Sequence, residues 1–158
     1  MPDRNLRTRP GDGTEDPPRT GLPAEPLTRL LTRAVRTVTN RVEGVLRPEG
    51  LSLDQWLVIE ALAAQRGLTM AELAARTMVT GPTLTRVVDR LVGTATAYRE
   101  VDAEDRRKVR VYLSPRGRLA HRRIAPKVHA IESDLLARTA DPAGTLELLA
   151  DWAGTDQS

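Results

Sequence analysis

From Leu27 onward the apolar positions recur at steps of three and four: Leu27, Leu30, Leu31, Ala34, Val35, Val38, Val42, Val45 and Leu46. That spacing places them on one broad stripe of a helix of about twenty residues. Pro48 and Gly50 end it. Ser52 and Gln55 have the capping-box spacing, opening a second helix through Trp56, Leu57, Ile59, Ala61 and Leu62 that stops near Gly67. Thr69 and Glu72 repeat the signal for a short helix over Met70 to Arg76. After a short turn, Gly81 and Pro82 open a further helix, proline being tolerated where the N–H has no partner. Leu84, Val87, Val88 and Leu91 mark its inner face, and Gly93 its end.

There the period shifts from 3.6 to 2. Ala97, Arg99 and Val101 alternate with Tyr98 and Glu100, and Val109, Val111 and Leu113 with Arg110 and Tyr112. Two short strands around the polar loop Asp102–Arg107 predict a hairpin. Ser114 and Pro115 cap a long helix bearing Leu119, Ile124, Val128, Ile131, Leu135 and Leu136, with a kink or interruption expected at Pro126. Asp141 and Pro142 start a last helix with Leu146, Leu149 and Trp152. Before all of these, residues 1–25 hold five prolines and almost no large apolar side chains, so they predict a disordered tail.

Composition narrows the chemistry. The 158 residues suffice for one core, and no apolar run is long enough to span a bilayer, so no membrane partner is expected. The amino terminus lacks the apolar stretch of a secretory leader, which predicts a cytoplasmic protein. Cysteine is absent, excluding disulfides and thiolate metal sites. Phenylalanine is absent too, so the core is aliphatic, which favours helices. The net charge of +3 is unevenly spread: residues 76–123 carry twelve basic and five acidic side chains, a surplus of +7, and the rest sums to −4. All but two of the basic residues are arginine, the side chain suited to phosphate.

Helix, helix, turn, helix and hairpin in this order predict a mainly α fold, a winged helix-turn-helix with a two-stranded wing. The long first helix packs either into the core or against a partner chain. The recognition helix exposes Thr80, Gly81, Pro82, Thr83, Thr85, Arg86 and Arg90, hydroxyls and guanidinium groups suited to phosphates and base edges. The wing exposes Arg106 and Arg107 for a narrow minor groove, with Asp105 expected to orient one of them through a bidentate pair.

Three segments in order, Leu84-Thr85-Arg86-Val87-Val88-Asp89-Arg90-Leu91, Asp102-Ala103-Glu104-Asp105-Arg106-Arg107 and Leu113-Ser114-Pro115-Arg116-Gly117-Arg118, resemble the recognition helix, wing and dimerisation-helix entry of the MarR family of bacterial transcription regulators. The resemblance covers everything but the tail. It implies a homodimer on double-stranded DNA at a palindromic operator, acting at the bacterial nucleoid as a repressor released by a small aromatic, phenolic or carboxylate ligand. It divides the chain into a dimerisation helix (26–50), a DNA-binding lobe (51–114) and C-terminal dimerisation helices (115–158), which makes the flanking helices a helical dimerisation region. The implied ligand pocket lies between lobe and dimerisation helices, with Trp56, Arg36 and Asn40 as candidate lining residues.

Two departures from the family pattern matter. Ala95 and Thr96 stand where relatives place glycine and an apolar residue, which predicts an early helix end at Gly93 and a looser link to the wing. Gly81 and Pro82 replace polar or basic residues, which shifts base readout toward Thr83 and Arg86 and toward DNA shape.

No nucleophile–base pair surrounds His121 or His129, so catalysis is not expected, and neither a cofactor nor a metal is required. Two alternatives remain: a winged-helix protein–protein adaptor without DNA binding, and a metal-responsive regulator using His129 with Glu132, one turn apart. An adaptor has no need of arginines at both recognition helix and wing tip.

Overall fold

A computed structural model of the chain describes residues 25–154. The expected tail lies, apart from Glu25, outside the described residues. The order is α1 (Leu27–Leu46), a 3-10 turn (Arg47–Glu49), α2 (Leu53–Ala64), α3 (Met70–Thr77), α4 (Gly81–Gly93), β1 (Ala97–Val101), β2 (Val109–Leu113), α5 (Pro115–Leu136) and α6 (Pro142–Gly154). The fold is the mainly helical winged helix-turn-helix that the periodicity predicts.

Both capping boxes form. Ser52 accepts from the Gln55 amide and Thr69 from the Glu72 amide, and the Gln55 and Glu72 side chains reach back to the opposite backbone N–H groups. α2 is the central helix, apolar nearly all round, burying Trp56, Val58, Ile59 and Leu62. Around it close Leu46 of α1, Leu73 of α3, Leu84 and Leu91 of α4, Val111 of β2 and Ile124 and Val128 of α5. Full burial of each such aliphatic side chain contributes about 1.5–3 kcal/mol, so this one cluster fixes the helices together.

β1 and β2 pair antiparallel with Ala97 opposite Leu113 and Val101 opposite Val109. Leu68 extends this ribbon by a bridge to Val111: Leu68 N–H donates to the Val111 carbonyl at 3.1 Å, and Val111 N–H to that of Leu68 at 2.8 Å. The base of the wing is thereby stitched to the α2–α3 connection.

The structure differs from the sequence-based expectation at two joints. α5 is not interrupted at Pro126, the second of the two outcomes expected there, because one proline removes a single rung of a helix whose flanking turns are anchored by buried Ile124, Ala125 and Val128. The link from α4 to the wing is tight rather than loose. α4 ends at Gly93, and Ala95 itself takes the left-handed conformation, φ 54°. Ala95 N–H donates to the Val92 carbonyl at 2.9 Å and Thr96 N–H to that of Leu91 at 2.8 Å, the paired bonds of a Schellman cap made without glycine. The carbonyls of this cap then hold the start of α5: Ala95 accepts from the Ser114 hydroxyl at 2.7 Å and Thr96 from the Ser114 amide at 3.0 Å. A Cβ at Gly117 would lie 2.2 Å from the Thr96 carbonyl oxygen, so glycine is required for α5 to approach this closely.

The stripe of α1 is buried only at its end. Val42 and Leu46 enter the core, whereas Leu27, Val35 and Val38 are exposed. No α6 residue is buried, and Leu146, Leu148 and Leu149 each expose about half their surface. Charge pairs hold α1 and the 3-10 turn to α5: Arg41 to Asp134 at 2.6 Å, and Glu49 to Arg123 at 2.6 Å and Lys127 at 3.4 Å. The Arg123 hydrogen bond above all lowers the Glu49 pKa from its ordinary value.

Candidate nucleic-acid interface

The helix-turn-helix is built from α3 and α4. Thr77 is buried and its hydroxyl donates to the Leu73 carbonyl at 2.7 Å, closing the last turn of α3 without a solvent partner. Met78 then turns the chain in the left-handed conformation, φ 56°, while its side chain stays exposed. Val79 drops into the core, and the chain re-emerges at Thr80, the extended N-cap of α4. Leu84, Val87, Val88 and Leu91 are buried, which turns the opposite face outward: Thr80, Gly81, Pro82, Thr85, Arg86 and Arg90 are exposed and Thr83 is half-buried.

The start of α4 is chemically open. The Thr80 side chain makes no capping bond, and among the described residues no side chain satisfies the amides of the first turn. Together with the positive end of the helix dipole they form a site for an anion such as phosphate. The Thr85 hydroxyl donates back to the Gly81 carbonyl at 3.1 Å and keeps its lone pairs outward; Arg86 Nη2 donates to the Thr83 hydroxyl at 3.4 Å. On the same helix Asp89 pairs with Arg99 of β1 at 2.7 Å, fixing the helix face to the wing.

The wing tip differs from the sequence reading in one pairing. Asp105 makes no bidentate pair with Arg106 or Arg107. Its Oδ1 accepts from the Arg107 backbone N–H at 3.1 Å, and its Oδ2 lies 3.6 Å from Lys108 Nζ. The tight 102–108 turn aims the carboxylate at the backbone, two residues on, where it forms an Asx turn. Among the described residues, the Arg106 and Arg107 guanidinium groups have no carboxylate partner, and both are exposed.

What holds the tip is a group that local sequence reading does not single out. Asp102 accepts from the Glu104 and Asp105 amides at 2.8 and 3.0 Å and pairs with Arg110 Nε across the hairpin. Arg110 also donates to the Gly67 carbonyl at 3.2 Å and reaches Glu72 of α3 at 3.4 Å. The Arg110 hydrogen bond, helped by the two amides, lowers the Asp102 carboxyl from 3.8 to about 2. One guanidinium thus locks wing, α2–α3 connection and α3 into a single rigid surface.

The three candidate ligand residues are not gathered. Trp56 is 1% exposed, stacked on His121 with ring centroids 5.4 Å apart, while Arg36 and Asn40 are exposed on α1. Among the described residues no three His, Asp or Glu side chains gather to hold a metal, so His129 and Glu132 lack a third ligand.

Residues 49–108 match the model of the MarR family. Over 117 residues the chain is 30% identical to the HTH-type transcriptional repressor Rv2887 of Mycobacterium tuberculosis, covering 74% of this chain and 84% of that one. A MarR family transcriptional regulator from Silicibacter pomeroyi superposes with a TM-score of 0.74 at 25% identity, covering 85% of this chain and 91% of that one. CouR from Rhodococcus jostii bound to p-coumaroyl-CoA gives a TM-score of 0.76 at 22% identity, over 82% of this chain and 93% of its own. The same regulator bound to a 23-mer DNA duplex gives 0.69 at 24% identity, over 84% and 93%. The likeness to CouR is one of fold.

Proposed function

The chain belongs to the MarR family, and on that premise we propose that it is a transcriptional repressor that binds a palindromic operator as a homodimer and is released by a small aromatic or carboxylate ligand. The observation that carries the reading is the pairing of two open cationic elements on one rigid lobe. The uncapped start of α4, followed by Arg86 and Arg90, enters the major groove, and Arg106 and Arg107 at the wing tip enter the adjacent minor groove. CouR, which shares the fold, has been seen bound both to a 23-mer DNA duplex and to p-coumaroyl-CoA.

The dimer reading is supported by the apolar surface that the chain leaves exposed on α1 and α6, which an isolated subunit would present to water. Segments 26–50 and 115–158 are assigned to the dimer and 51–114 to DNA. Release is assigned to a ligand bound where lobe and dimer helices meet, with Arg36 and Asn40 offering polar groups from α1. Trp56, through its stacking on His121, reports any shift of α2 against α5. The protein acts at the nucleoid, and none of the described helices is long and apolar enough to cross a membrane.

Selection of bound duplexes from a random pool tests the reading. The expected product is an inverted repeat whose half-sites are centred about 10 bp apart. Retention of no duplex at either low or physiological salt would support the adaptor reading instead.

A further inference from the structure

A cavity of about 420 Å³ opens at the base of the wing, at the opposite end of the hairpin from the DNA-facing tip. Its walls come from Leu62 of α2 and Arg66 just beyond it, Tyr98 and Tyr112 on the two strands, and Arg118 and Arg122 on the first turns of α5. The chain's two tyrosines face each other in the hairpin register and stack, with ring centroids 5.3 Å apart and planes within 15°. Tyr112 is a fixed wall, because its ring packs over Gly67, where a Cβ would lie 2.5 Å from Cε1. Tyr98 is 39% exposed, which leaves ring surface open for another ring.

The charge of the lining is uncompensated. Three guanidinium groups line the cavity and no carboxylate does. Arg118 donates to the Leu113 carbonyl at 2.6 Å, a neutral acceptor that leaves its charge intact. Among the described residues Arg66 and Arg122 have no ion-pair partner. Elsewhere the arginines that bridge elements, Arg41, Arg99, Arg110 and Arg123, each meet a carboxylate. A concave, partly apolar wall concentrates the field of such charges. A monocarboxylate would answer one of three cations, whereas a phosphate monoester supplies up to two negative charges and several acceptor oxygens in the geometry guanidinium groups match.

We propose that this wing-base cavity is a binding site for a small phosphate ester carrying a planar ring, of the nucleotide type, with Arg66, Arg118 and Arg122 on the phosphate and the ring against Tyr98. The cavity lies where the lobe meets α5, the region to which the releasing ligand is assigned above, and so deepens that reading; Arg36, Asn40, Trp56 and the α4 surface do not line it. The same phosphate-plus-ring chemistry occurs in a DNA strand, but the cavity lies at the far end of the hairpin from the tip, which fits a free ligand. Both strands of the wing line it, so a ligand here holds the wing against α5; that this alters operator affinity rests on the DNA-binding reading above.

Calorimetric titration of the full chain with 5′-AMP, adenosine, inorganic phosphate and 2-naphthoate tests the assignment. The expected result is saturable 5′-AMP binding, with adenosine, phosphate and naphthoate each weaker by about tenfold or more. The double variant Arg66→Gln, Arg122→Gln should lose AMP binding while unfolding at the wild-type temperature and binding duplex DNA, without AMP, as the wild type does. Tyr98→Ala should weaken AMP but leave phosphate unchanged. AMP bound no better than phosphate, or bound equally by the double variant, would overturn the site. A double variant that loses DNA affinity with no AMP present would also overturn it, assigning the arginines to the DNA backbone. AMP binding by a wild-type chain that binds no DNA would support the site and contradict only its regulatory consequence.

Discussion

Arg107 and Asp102 sit on the same wing and do different work. Arg107 is exposed at the tip with its backbone N–H held by Asp105, so its side chain is free to meet DNA. Arg107→Ala should weaken binding to every duplex alike and reduce the slope of log affinity against log salt by about one counterion, read by anisotropy across a salt series. Arg86→Ala should instead relax discrimination at one position of each half-site, read by competition with single-base operator variants. Asp102 acts through the fold. Because its folded pKa lies below the ordinary 3.8, at about 2, its contribution to stability is complete above 3.8 and is lost as pH falls through about 2. Asp102→Asn should therefore melt below the wild type at neutral pH, and the two melting temperatures should converge over that window. A difference unchanged down to pH 2 would show that the Arg110 pair does not stabilise the wing.

At the scale of elements, the joint between α4, the wing and α5 sets the spacing of the two parts proposed to contact DNA. Ala95 occupies a left-handed position that costs a side chain about 1 kcal/mol relative to glycine. Ala95→Gly should raise stability by up to about 1 kcal/mol in denaturant melts, with DNA affinity unchanged. Gly117→Ala should do the reverse, since its Cβ would meet the Thr96 carbonyl and the Leu113 side chain; overpacking of this kind costs about 1–3 kcal/mol. The elements themselves were legible in the chain because their signals are local. Ser52 with Gln55, Thr69 with Glu72, and Ser114 each act within one helical turn, and the change of period at Ala97 marks the hairpin. Pairings between distant positions carry no such signal. Arg110 reaches Asp102 eight residues away and Glu72 thirty-eight away, so alternation along β2 shows only a polar position. The expected Asp105–arginine pair failed for the same reason: the direction of a carboxylate in a tight turn is set by backbone dihedrals that residue type does not specify. The Ala95 cap shows the converse, a tertiary joint overriding a backbone preference.

For the whole molecule, the proposed dimer rests on the uncovered stripe on α1. Val38, 37% exposed, lies midway along it. Val38→Asp should place an unpaired charge in the proposed dimer seam and abolish dimer and operator binding together, measured by sedimentation and anisotropy on the same samples. The charge of the chain points the same way, with its basic surplus confined to 76–123 and an acidic remainder. Such a distribution presents cations to DNA and keeps the remaining surface from binding it indiscriminately.

The most direct test is an anisotropy titration of the wild-type chain against the duplex immediately upstream of its own gene, beside a scrambled duplex of equal length, over a range of salt. The account predicts tighter binding to the natural duplex, two subunits per site, and affinity that falls steeply with salt. Binding that is equal for both duplexes and indifferent to salt would contradict it.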